Sequence, residues 1–140
     1  MRPLEISVSI GELLDKITIL KIKQEKIQDE EKLKNINEEL NYLQMAMNKI
    51  NLDSHSLSKM DELQKVNEEL WLVEDQLRNF EKLKYFGEEF ILLARSVYLK
   101  NDYRSQLKKE LNLHLGSRFV EEKSYSDYQS SNEVNQSLSH

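Results

Sequence analysis

Residues 88–104 read E-E-F-I-L-L-A-R-S-V-Y-L-K-N-D-Y-R, and the spacing of their apolar side chains decides the fold class. Phe90, Leu93 and Val97 recur in steps of three and four, the period of one face of an α-helix. Ile91, Leu92, Leu99 and Tyr103 lie off that stripe, so the first turns are apolar around most of the circumference. A helix of this kind is expected to be covered on several sides. Polar residues interrupt it: Arg95 sits among Ile91, Leu92 and Leu99, while Asn101, Arg104 and Lys108 continue the main stripe where apolar residues belong. If covered, they need partners.

Upstream, Tyr85-Phe86-Gly87 reads as a tight reversal, with Gly87 in the left-handed position favoured after a helix. Glu88 and Glu89 complement the dipole of the helix they open. The preceding helix carries Met60, Leu63, Val66, Leu70, Val73, Leu77 and Phe80 on one stripe, and Asn67, Trp71, Glu74 and Arg78 on a second flank. Ser58 is its expected N-cap, after a loop over residues 51–58. Antiparallel pairing about Phe86 sets Trp71 beside Asn101, Glu74 beside Tyr98, Asp75 beside Val97 and Arg78 beside Ala94, within reach of Arg95.

Further upstream, Leu4, Ile6 and Val8 alternate with polar residues as in a strand or extended arm. Ser9 and Glu12 fit a capping box, so a helix begins at Ile10. Its stripe is Ile10, Leu13, Ile17, Leu20, Gln24, Ile27, and the next is Leu33, Ile36, Leu40, Leu43, Met47, Ile50. At 100° per residue the second points about 140° from the first. Either the helix breaks near Asp29 and folds over, or it continues and meets different neighbours. Pairing with the following helix about Ser54 would set Asn35 beside Glu74 and Gln28 beside Glu81. A straight helix would then overhang with its apolar stripe bare, and a homodimer through residues 10–27 would cover it. At the other end, Gly116 stops the last helix near Leu115, and Phe119, Val120 and Tyr125 are positioned to dock back. The expected organisation is an arm over residues 1–9, a helical bundle over 10–125 and a disordered, Ser/Asn/Gln-rich tail over 126–140.

Composition bounds function. The 140 residues make one modest domain, and 3 Gly and 1 Pro favour long helices. Without cysteine there is neither a disulfide framework nor a thiolate metal site. Interleaved charges with a net of -5 leave no basic face for nucleic acid. The first residues lack the apolar segment of a secretory signal, and no apolar run reaches the length of a membrane span. The expectation is a soluble cytoplasmic protein without membrane or nucleic-acid partners.

Four blocks carry a resemblance: G-E-L-L-D-K-I-T-I-L-K-I-K at residues 11–23, N-E-E-L-W-L-V-E-D-Q-L-R at 67–78, F-G-E-E-F-I-L-L-A-R-S-V-Y-L-K-N-D-Y-R at 86–104 and V-E-E-K-S-Y at 120–125. In the same order they resemble a family of short helical proteins from bacteria and their viruses that forms a domain of unknown function. The resemblance implies a stand-alone domain and brings no activity.

The best candidate site gathers Trp71, Glu74, Asp75 and Arg78 opposite Arg95, Tyr98, Asn101, Asp102 and Arg104. The arginines offer forks for an anionic metabolite and Trp71 a stacking wall. The preferred reading of the same residues is structural, an interhelical network fixing bundle register. The carboxylate doublets Glu38/Glu39, Glu68/Glu69, Glu74/Asp75 and Glu88/Glu89 invite a magnesium site, but neighbours on a helix point about 100° apart, so solvated faces explain them. Glu12, Asp15, Lys16 and Thr18 read as capping and surface charge, and His55, His114 and His140 are too scattered for a metal or a catalytic relay. No cofactor is expected. The sequence reads as an all-α antiparallel bundle of three to four long, coiled-coil-like helices with an extended N-terminal arm and a flexible C-terminal tail. Its expected role is a non-enzymatic, self-associating interaction protein, with a small enzyme or binding module as the alternative.

Overall fold

Three of the four helices begin where a side-chain oxygen closes the first turn. In the computed structural model, which describes residues 2–126, Ser9 accepts from the Glu12 amide at 3.1 Å, Asp29 from that of Lys32 at 3.0 Å and Asp53 from that of Ser56 at 2.9 Å. The helices are α1 (Ile10–Lys26), α2 (Glu30–Met47), α3 (Ser54–Lys82) and α4 (Glu88–His114), so the fold is all-α. The Asp53 cap starts α3 four residues before Ser58: the Ser56 hydroxyl also bonds Asp53, at 2.7 Å, and Ser56 is buried. Glu12 completes only half of the capping box, because its carboxylate is drawn 2.7 Å from Lys108 Nζ instead.

The chain breaks between Lys26 and Glu30, so the phase slip is resolved by folding over. The helix that organises the bundle is α1. Among the described residues it alone packs against the other three, whereas α2 packs on α1 and on neither α3 nor α4. Asn35 and Gln28 therefore do not pair with α3. On one side of α1, Ile17 and Leu20 meet Ile36 and Leu40 of α2. On the other, Leu14 joins Leu63, Val66, Leu107 and Leu111 of the α3–α4 hairpin. Leu14, Ile17, Leu20 and Ile22 are each 0–4% exposed. No overhang remains, and α1 has no bare apolar stripe to offer a second copy.

The reversal between α3 and α4 is built differently from the expectation for Gly87. Lys84, at φ 56°, takes the left-handed position; its N–H donates to the Glu81 carbonyl at 3.1 Å and that of Tyr85 to the Phe80 carbonyl at 2.9 Å. The Phe80 and Tyr85 rings, 5.1 Å apart, supply the hydrophobic contact that accompanies this closing pattern. Gly87 is extended and begins α4, and a Cβ there would sit 2.7 Å from the Tyr85 hydroxyl. With the turn centred at Lys84 rather than Phe86, the hairpin slides by about one turn. Lys59 meets Glu110 at 3.1 Å and Lys100 meets Glu69 at 3.0 Å. Glu74 pairs with Arg78 on its own helix at 3.5 Å, not with Arg95.

The first half of α4 is not enclosed. Ile91, Leu92, Tyr98, Leu99 and Tyr103 are 42–55% exposed, Arg95 is exposed, and α4 contributes no buried residue before Leu107. Only α3 and one side of α1 reach it, because α2 is stacked beyond α1. At the C-terminus, α4 ends at His114 with Gly116 at φ 68°. Residues 117–126 are held by ion pairs and by Ser117: Glu121 lies 3.1 Å from Lys108 and Glu122 3.0 Å from Lys109, and the Ser117 hydroxyl accepts from the Ile10 N–H at 3.1 Å. Of the three residues expected to dock, Val120 is half-buried, while Phe119 and Tyr125 stay 44% and 80% exposed. The arm carrying Leu4, Ile6 and Val8 is exposed and forms no strand. The expected tail lies, except for Ser126, outside the described residues.

Candidate functional site

The polar centre of the molecule follows from a second face of α1. Gly11, Leu14, Asp15, Thr18 and Ile22 fall at steps of three, four, seven and eleven from Gly11, one helical face set against the α3–α4 hairpin. Gly11 permits close approach: its N–H donates to Asn112 Oδ1 at 2.6 Å, and a Cβ would stand 2.5 Å from the Lys108 carbonyl oxygen. One turn on, Asp15 is 1% exposed and accepts from one edge of the Arg104 guanidinium, Nε to Oδ1 at 2.9 Å and Nη2 to Oδ2 at 2.5 Å. Asn67 of α3 donates its amide to Asp15 Oδ1 and to Thr18 Oγ1, both at 2.9 Å. Three helices thus meet on one carboxylate. Hydrogen bonding to Asp15 raises the Arg104 pKa above its ordinary value against the opposing effect of burial.

Beside this junction, Lys108 joins Glu12 at 2.7 Å and Glu121 at 3.1 Å. Burial acts to lower the Lys108 pKa, but hydrogen bonds to the two carboxylates outweigh it and the net shift is upward. In turn Lys108 lowers the pKa of Glu121. Near the α3 start, His114 Nε2 lies 2.8 Å from Asp53 Oδ2, with the His55 ring 4.5 Å from that of His114. The Asp53 carboxyl is held well below the usual range, first by the backbone N–H and then by the hydroxyl of Ser56. Here the carboxylate separates hydroxyl from imidazole, which is not the order of a nucleophilic relay. Among the described residues no group of three or more His, Asp or Glu side chains could hold a metal ion.

Two grooves flank Arg104. The first, of about 440 Å³, has Ile19, Ile22 and Leu70 as apolar lining with Trp71 as an aromatic wall, and Asn67, Glu74, Asp75, Arg78, Asn101 and Arg104 as polar groups. The second, of about 340 Å³, shares Asn101 and Arg104 and adds Tyr98, Asp102, Lys108, Glu121 and Tyr125 among others. Eight of the nine residues singled out from the sequence therefore line one groove or the other; Arg95, on the exposed side of α4, lines neither. The Arg104 fork expected for an anion is occupied by Asp15, leaving Nη1, which lies 3.4 Å from Asn101 Oδ1. Asp15 and Thr18, which the sequence reading took as capping and surface charge, are buried here, and their signal was the second spacing series beginning at Gly11; Asn112, on α4, carried no such signal and was missed.

No helix among the described residues is long and apolar enough to cross a membrane. No curated protein and no solved structure matches the chain. One family model does, over residues 4–137, and its description is "Family of unknown function (DUF6165)". With four successive helices and nearly the whole length inside that match, the chain belongs to this family of unknown function.

Proposed function

We propose that the protein is a non-enzymatic, self-associating helical protein of the cytoplasm, and that two copies pack through the outer face of α4. The observation that carries this reading is the solvent-facing stripe of Ile91, Leu92, Tyr98, Leu99 and Tyr103, which no other helix among the described residues covers. An exposed apolar face of this kind marks an interaction surface, here with Arg95 and Asp102 running between its two apolar rows. The occupant is argued from the repeat along it. Ile91 and Tyr98, Leu92 and Leu99, and Arg95 and Asp102 are each seven residues apart, the period of a coiled-coil seam.

A two-fold axis passing between Tyr98 and Leu99 relates the two copies of the stripe in an antiparallel pair. Arg95 of one copy then faces Asp102 of the other, twice, while Tyr98 packs on Leu99. Tyr98 and Asp102 also interact within their own chain, which orients rather than prevents such a contact. Light scattering coupled to size exclusion is expected to give twice the 16.7 kDa chain mass. Leu92→Glu should yield a helical monomer. Arg95→Glu should weaken the dimer and Arg95→Glu/Asp102→Arg should restore it. A wild-type chain that stays monomeric at high micromolar concentration, with helicity intact, contradicts the proposal.

A further inference from the structure

The groove beside Trp71 carries an inference independent of self-association, because its chemistry does not match the anion suggested by its arginines. Arg104 is neutralised from beneath by Asp15, through its Nε and Nη2. Arg78 is paired with Glu74. Asp75 makes no ion pair among the described residues, so the balance of charge at the opening is negative. The floor adds another acceptor. Asn67 is 5% exposed and its amide nitrogen is committed to Asp15 and Thr18, which leaves its amide oxygen without a hydrogen bond among the described residues. A buried, half-satisfied side chain lining a cavity is where a ligand donor is expected.

From this geometry we infer that the groove is a binding site for a small organic ammonium ion, one with an apolar body. The body lies on Ile22, Leu70 and the face of Trp71; the cationic head is held by the ring face and by the Asp75 and Glu74 carboxylates. Cation–π attraction and an apolar wall act together on such a ligand. For amines with an N–H, the Asn67 oxygen is the directional acceptor. At about 440 Å³ the groove is within the range of small-molecule sites.

Trp71 is the only tryptophan in the chain, so its emission reports this groove alone. The full-length protein is titrated with benzyltrimethylammonium and, as a matched anion of similar size, phenylacetate. The expected result is a saturable change in Trp71 emission with the cation and none with phenylacetate, at equal ionic strength. Asp75→Asn, an exposed position, should raise the apparent dissociation constant at least fivefold without changing helicity, whereas Lys34→Glu, exposed on α2 and outside the groove, should leave it unchanged. Calorimetry on Trp71→Leu should show the binding heat lost. A flat titration, an equal response to phenylacetate, or indifference to Asp75→Asn overturns the assignment. The chain mass followed in parallel separates this outcome from the fate of the dimer.

Discussion

At the scale of single residues, the fold turns on Gly11 and Asp15. In an exposed helix interior, Gly→Ala is stabilising by about 1 kcal/mol. Gly11 is different, since the added methyl would meet backbone, the Lys108 carbonyl at 2.5 Å, and cannot be accommodated by a side-chain rotation. Gly11→Ala is therefore expected to destabilise by about 1–3 kcal/mol, the cost of overpacking, in urea unfolding followed by circular dichroism; an unchanged or raised midpoint would count against close α1–α4 contact. Asp15 matters for a different reason. A buried carboxylate stripped of its partner costs about 3–5 kcal/mol, so the Arg104 fork keeps the three-helix junction from opening. The sequence showed that Arg104 would need a partner, but not which one. Asp15, 89 positions away, looked like surface charge beside a stronger apolar stripe, and only the face it shares with Gly11, Leu14 and Thr18 reveals its burial.

At the scale of elements, the stripes on α2 and α3 were legible because each lines a single apolar cluster: Ile36 and Leu40 pack with Ile17 and Leu20 of α1, and Leu63 and Val66 with Leu14, Leu107 and Leu111. Gly116 gave the end of α4 for a similarly local reason, its left-handed backbone. The turn at Lys84 was hidden, since a lysine there is stabilised by the Phe80–Tyr85 contact and not by its own conformational preference. The segment after α4 is attached by ion pairs, and its stability should follow their charge. Lys108 depresses the Glu121 pKa from its ordinary 4.5, so this contribution is fully present above that value and is lost as pH falls through the lower folded value. Glu121→Gln should accordingly lower the wild-type melting temperature at pH 6, with the difference shrinking as the solution is acidified below 4.5. A gap that persists unchanged at pH 2.5 would show that the Glu121–Lys108 pair is not its source.

At the scale of the whole molecule, the expectation that residues 88–104 would be covered on several sides gave way to α1 as the shared partner. Apolar girth on α4 does not bring the expected cover: among the described residues only α3 and one side of α1 pack against this helix, and α2 is spent on the far side of α1. All-helical architecture could be read from periodicity; the order of packing could not, because the face of α1 that meets the α3–α4 hairpin is the less apolar one, carrying Gly11, Asp15 and Thr18. Hydrogen exchange resolved to single amides tests this organisation most directly. The slowest amides are expected in the middle of α1, around Leu14, Ile17 and Leu20, with those of Ile91 to Leu99 exchanging well before them. Protection greater over Ile91 to Leu99 than over α1, in the monomeric Leu92→Glu variant, would contradict it.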